Sequence, residues 1–193
     1  MKILQLGNKK LEKKSKPVKK IKSRANQNLI DNLLKICYKN EKSTGGLAAP
    51  QLGKNIRMFI ARRVDIEEKY RKKKKDISQK ESKKLWEVII NPKIKKTALK
   101  KATYWEGCLS IEHGKVFGPV KRPSLIKIEY FNRKGERKKI VATDFFSHLI
   151  QHEIDHLKGI LFVKYIKNPK NLWNEKTLDK YLRKHGDFPE IVD

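Results

Sequence analysis

Apolar positions in residues 22–42 (KSRANQNLIDNLLKICYKNEK) recur at helical spacing. Leu29, Ile30, Leu33, Leu34, Ile36 and Cys37 form one stripe, which predicts an amphipathic helix packed on a core. The helix ends before STGG at 43–46, which reads as a loop. Two runs, 57–64 (RMFIARRV) and 86–94 (WEVIINPKI), are strand-like, and Pro92 implies that the second is interrupted or lies at an edge. Further strands are expected at 125–131 (LIKIEYF) and 138–143 (KKIVAT), joined through NRKGE, whose glycine suits a hairpin turn. From Thr143 the period becomes helical again. Phe145, Phe146, Leu149, Ile150, Ile154 and Leu157 make a wide apolar face, with Asp144 read as N-cap and Gly159 as the stop. A last amphipathic helix is predicted over 171–186. Short strands around one buried helix define an α+β class: small antiparallel or mixed sheets, an N-terminal helix and a C-terminal helix.

Between the first two strands, residues 67–84 (EEKYRKKKKDISQKESKK) have almost no apolar content and read as an exposed, mobile or partly helical basic insertion. The whole chain of 193 residues carries a net charge of +27, which favours polyanions through counterion release. No zinc-finger, aromatic RNA-binding or helix-turn-helix pattern accompanies that charge, so solvated surface lysines explain it equally well. There is no run of eighteen apolar residues and no signal-like apolar region near Met1. Cys37 and Cys108 are too few for a disulfide framework, so a reducing, cytoplasmic setting is expected.

The chemistry-bearing stretch is QHEIDHLKG, 151–159, on the predicted buried helix. His152 and His156 stand at i and i+4, on one helix face, and can hold one metal ion. A third histidine six residues past His156 would extend the motif, but Phe162 stands there. Glu175, nineteen residues past His156 and four before Asp179, fits a zinc-endopeptidase arrangement. Cys108, in YWEGCLSIEHG and 44 residues before His152, offers a thiolate instead, giving one sulfur and two nitrogens with a fourth position open. Cys37 falls on a helical apolar stripe and reads as core.

Three ordered segments carry a family resemblance: TGGLAAPQ at 44–51, EGCLS at 106–110 and QHEIDHLKG at 151–159. The chain resembles the peptide deformylases, from about residue 3 to 166 with the basic insertion as an interruption. The first motif departs from the family pattern at Thr44 and Gly45, and His148 stands where the family often has an aliphatic residue or arginine. His148 is read as a surface histidine rather than a pocket residue.

The resemblance implies a catalytic domain over 1–166, followed by a C-terminal helix and tail at 167–193. It implies removal of the formyl group from the N-terminal methionine of new polypeptides. Cys108, His152 and His156 would hold the ion, ferrous iron, with Zn2+, Ni2+ or Co2+ as substitutes. An ion so held lowers the pKa of its water from about 15.7 to roughly 7. Glu153 would take the proton as general base and return it to the leaving amine, while the Gln51 amide and the Leu109 N–H face the oxyanion. Gly45, Gly46, Phe145 and Leu149 would wall the methionine pocket. A Glu106–Arg122 pair would orient a ligand, and Asp155 would hold either a ligand imidazole or neighbouring backbone. Partners implied are formyl-methionyl nascent peptides and, through the basic surface, ribosomal RNA. Two other readings compete: the zinc endopeptidase using Glu175, and a basic RNA-binding module with a closed structural metal.

Overall fold

A computed structural model describes residues 2–41, 43–72 and 77–193. The predicted first helix is α1, Arg24–Lys39. Ser23 caps it by accepting from the Asn26 N–H at 3.4 Å, and its stripe of Leu29, Ile30, Leu33 and Cys37 is buried.

Among the described residues eight strands follow: β1 Gly46–Ala48, β2 Met58–Arg62, β3 Trp86–Thr97, β4 Lys101–Gly107, β5 Val116–Pro123, β6 Leu125–Phe131, β7 Arg137–Thr143 and the short β8 Trp173–Asn174. They form a five-stranded sheet in the order β1-β2-β3-β6-β7 and a three-stranded sheet in the order β4-β5-β8. Among the described residues every strand pair is antiparallel, and the lone parallel contact is a bridge between Lys16 and Ile56. β2 and the start of β3 read as continuous apolar runs because both faces of the larger sheet are covered. Met58, Ile60, Val88 and Ile90 pack towards α1. Phe59, Ala61 and Ile89 join the other core, together with Phe146, Ile150, Ile154 and Leu157 of α4, Asp144–Lys158.

Pro92 interrupts β3 without placing it at an edge. β3 lies between β2 and β6, and its register slips between Ile90 and Lys93. Asn91 adopts a left-handed φ of 51° there, and its amide exchanges two hydrogen bonds with the Val18 backbone. The β6–β7 hairpin turns through Gly135 at φ 80°.

Two boundaries are corrected. Thr143, not Asp144, is the extended residue before α4, and it makes no side-chain cap. Asp144 is left-handed at φ 49° and its N–H goes to the Ser124 carbonyl at 2.7 Å. The last helix, α5, is Glu175–His185 and starts four residues later than its apolar pattern implies, because Asn174 caps it and Trp173 is drawn into β8. In the basic segment, α2 (Val64–Lys72) and α3 (Gln79–Lys84) are helical, the latter entered by a Ser78–Glu81 capping box. Arg62 ties both to the sheet by bonding Glu67 and Ser82. Most of the KKKK run falls at 73–76, outside the described residues. No described helix is long and apolar enough to cross a membrane.

Candidate metal centre

α4 lies between the two sheets, and its residues from Phe146 to Leu157 are all buried. A helix buried all round must find a partner for each polar side chain it carries. Ser147 and Gln151 bond the Pro123 carbonyl. His152 and His156 meet Cys108, which follows β4. The three ligating atoms lie within 4.8 Å of one another, and Cys108 Sγ is 3.3 Å from His156 Nε2. A tetrahedral ion with bonds of about 2.3 Å to sulfur and about 2.0 Å to nitrogen would separate those two atoms by roughly 3.5 Å. The donor set therefore fits a divalent transition ion, with three protein donors and a position left over.

Glu106 fixes which nitrogen His152 presents. Its Oε2 takes the His152 Nδ1 at 2.7 Å, which leaves Nε2 free to coordinate an ion. Arg122 holds the same carboxylate at 2.6 and 3.1 Å and reaches Asp155 at 2.5 Å. His148, one turn before His152, lies against Glu106 Oε1. Burial works to raise the Glu106 pKa, but His148, His152 and Arg122 outweigh it and hold the carboxyl well below the usual range. On His152, burial disfavours the charge, yet bonds to Cys108 and Glu106 raise its pKa well above normal. Burial, with His152 beside it, pushes His156 well below.

Glu153, 2 % exposed, has a buried Oε2 without a hydrogen-bond partner among the described residues. Burial pushes its carboxyl up to about 7. Its other oxygen faces Gly46, where an added Cβ would come within 2.5 Å of Oε1. Gln51 sits in a short 3-10 turn after β1. Its Oε1 accepts from the Ala48 N–H at 2.8 Å, which aims Nε2 at Ser110 Oγ (3.1 Å) and Cys108 Sγ (3.6 Å). The N-terminal segment knits these loops together. Leu4 N–H bonds the Gln51 carbonyl, Leu6 N–H the Ser110 carbonyl, and the Gln5 side chain the Leu109 carbonyl at 2.9 Å.

These groups surround a cavity of about 220 Å³. Gln51, Cys108, Leu109, His152 and Glu153 line it, with Gly45, Gly46, Phe145 and Leu149 forming an apolar part of its wall. Phe145 is 46 % exposed and edge-on to Tyr104, so it belongs to the cavity rather than the core. Cys37 is buried in the core under α1. His148 is corrected: it is buried on the cavity wall beside Glu106 instead of lying on the surface. Its place one helical turn from His152 was the available signal. Asp155 holds neither a ligand ring nor backbone through its side chain; it pairs with Arg122 and with the Tyr165 hydroxyl at 2.9 Å. Tyr165 and Ser110 were not singled out from the sequence. Glu175 is exposed at the start of α5, its N–H bonded to the Lys115 carbonyl, and stands outside the ligand cluster.

The chain is similar to known proteins in both sequence and fold. The family model for polypeptide deformylase matches residues 1–172. The peptide deformylase of Bartonella tribocorum is 38 % identical over 160 residues, covering 83 % of this chain and 80 % of its own. That of Prochlorococcus marinus is 34 % identical over 187 residues, covering 96 % and 79 %. Among solved structures, the peptide deformylase of Synechococcus elongatus in complex with actinonin has a TM-score of 0.71 at 30 % identity, covering 96 % of this chain and 86 % of that one. That of Ehrlichia chaffeensis, also with actinonin, has a TM-score of 0.72 at 28 % identity, covering 97 % and 98 %. Sequence, fold and the convergence of three separated segments on one cavity all lead to the same place: the chain belongs to the polypeptide deformylase family.

Proposed function

We propose that the protein hydrolyses the formyl amide of N-formylmethionyl peptides. One observation carries this reading. A buried carboxylate with an unpartnered oxygen, Glu153, shares a single cavity with a thiol–imidazole–imidazole donor set and with the Gln51 amide. Hydrolysing an unactivated amide takes a proton acceptor beside the nucleophile and donors for the oxyanion, and these groups supply both.

Cys108, His152 and His156 would hold a divalent ion, for which ferrous iron is proposed with zinc, nickel or cobalt as substitutes. When bound, that ion supplies Lewis acidity and a water of lowered pKa. Glu153 takes the proton from the attacking water and delivers it to the departing methionyl nitrogen. Its free oxygen, Oε2, leaves it able to accept that proton and hand it on. Gln51 Nε2, held by the Ala48 bond, and the Leu109 N–H face the developing oxyanion. Phe145, Leu149, Gly45 and Gly46 take the methionine side chain. The peptide main chain lies along the free edge of β1 as an added strand.

The test is formate release from a formyl-Met peptide by protein reconstituted with iron, nickel or cobalt. Glu153→Ala should keep the metal and lose roughly 100- to 10,000-fold in rate. Cys108→Ser should lose both metal and rate. No formate from the wild type with any of the three ions would sink the reading. Glu175→Ala should change neither metal content nor rate, whereas the endopeptidase reading requires it to abolish both. For a chain of net charge +27, nascent peptides at the ribosome are the natural source of substrate. Association with ribosomes should then weaken steeply as salt rises, and salt-independent or absent binding would refute it.

A further inference from the structure

β1 ends the larger sheet, so among the described residues only one of its edges is paired. The pairing itself reveals which groups face outwards. Gly46 stands opposite Ala61, and the preceding Gly45 carbonyl accepts from the Arg62 N–H at 2.7 Å. In an antiparallel pair, hydrogen-bonded and non-hydrogen-bonded positions alternate. Gly45 bonds to β2, so the N–H and carbonyl of Gly46 turn to the open edge, on the cavity side. Those are the groups a peptide laid along β1 would use first.

They are not vacant. The Thr44 hydroxyl donates to the Gly46 carbonyl at 2.7 Å and lies 3.4 Å from the Gly46 N–H, which donates back to it. Thr44 lines the same cavity. One side chain therefore engages both main-chain groups at the first position of the free edge.

We propose that Thr44 is an affinity-setting cap on the peptide-binding edge of β1, whose hydroxyl the substrate main chain must displace. The inference rests on the deformylase reading and on its placement of the peptide beside β1. Displacement costs the Thr44–Gly46 bond, repaid by the substrate's own N–H, and it happens before chemistry. The effect thus falls on KM and leaves kcat untouched.

The experiment compares Thr44→Val, which keeps the shape and removes the hydroxyl, with Thr44→Ser, which keeps the hydroxyl. The substrates are a formyl-Met tripeptide and the same tripeptide N-methylated at its downstream amides. Thr44→Val should lower KM for the ordinary tripeptide by about 2- to 10-fold, the worth of one net hydrogen bond, with kcat within about twofold. Thr44→Ser should match the wild type. With the N-methylated peptide the advantage of the valine variant should vanish. An unchanged or raised KM in Thr44→Val, or a gain that survives N-methylation, overturns the cap. Should the valine variant fold poorly, Thr44→Ala gives the same comparison. A wild type that releases no formate would fail the deformylase reading itself, whereas an active wild type with an unmoved KM in the variants fails only the cap.

Discussion

Gly46→Ala tests the proposed arrangement of the site with a single carbon atom. The new Cβ would stand 2.5 Å from Glu153 Oε1, 2.8 Å from its Cδ and 2.9 Å from the Ile60 carbonyl oxygen. Bringing the closest of these to an ordinary 3.4 Å contact takes about 0.9 Å of movement. The carbonyl belongs to β2 in mid-sheet and cannot retreat without loosening β1 or β3. The carboxylate is therefore the group that yields. A misplacement near 1 Å costs on the order of 100-fold in rate, so kcat for a formyl-Met peptide should fall by about that factor. Metal content should stay at the wild-type level, because the three atoms nearest the new Cβ belong to Glu153 and Ile60 and not to Cys108, His152 or His156. Overpacking should also cost about 1–3 kcal/mol of stability, or roughly 2–4 °C in Tm for each kcal/mol. Formate release, metal analysis and a thermal melt measure all three. A variant with kcat within about threefold of wild type would show that Glu153 does not need the position it occupies here.

Glu153→Gln should make the metal-free protein more stable in mildly alkaline solution. The carboxyl is raised from 4.5 to about 7, so its neutral form is favoured in the fold: the penalty is absent below 4.5, grows between the two values and levels off above 7, at about 3 kcal/mol. Denaturant unfolding at pH 5 and pH 8 reads this, and an equal effect at both would contradict it. Arg122→Met should destabilise by about 3–5 kcal/mol by leaving Glu106 and Asp155 buried without their shared cation; a loss below about 1 kcal/mol would mean that His148, His152 and Tyr165 suffice to hold the two carboxylates. Leu33→Ala, on the buried face of α1, should cost about 2–5 kcal/mol in urea unfolding while leaving kcat unchanged, which separates the α1 core from the site.

The sequence announces what is local and conceals what is distant. α1 and α4 were legible from their stripes because a helix converts spacing into a face, and Gly159 from its place after the last apolar position. The Glu106–Arg122 pair was anticipated from the family resemblance. The role of His148 was not, since nothing along the chain says that the β4 carboxylate comes to rest between two imidazoles a turn apart. Asp155 was indeterminate for the same reason: its partner Tyr165 is ten residues on, past the end of α4, and only tertiary packing brings it back. Pro92 shows the reverse limit. A proline in a strand pattern suggests an edge, but a left-handed Asn91 bonded to Val18 lets a central strand absorb it.

The segment at residues 4–6 has a kinetic consequence. It joins the Gln51 turn to the loop after β4, and the Gln5–Leu109 bond spans 104 residues of sequence. Closing a loop of that length yields little until most of the molecule is in place, so such contacts form late in folding. The two sheets and α4 can collapse on their apolar faces first. The turns that carry Gln51 and Leu109 would stay loosely set until the chain's early residues return across them. Secondary structure should therefore be complete in a refolding experiment before activity is, with the lag set by this last clasp rather than by the helix that bears the histidines.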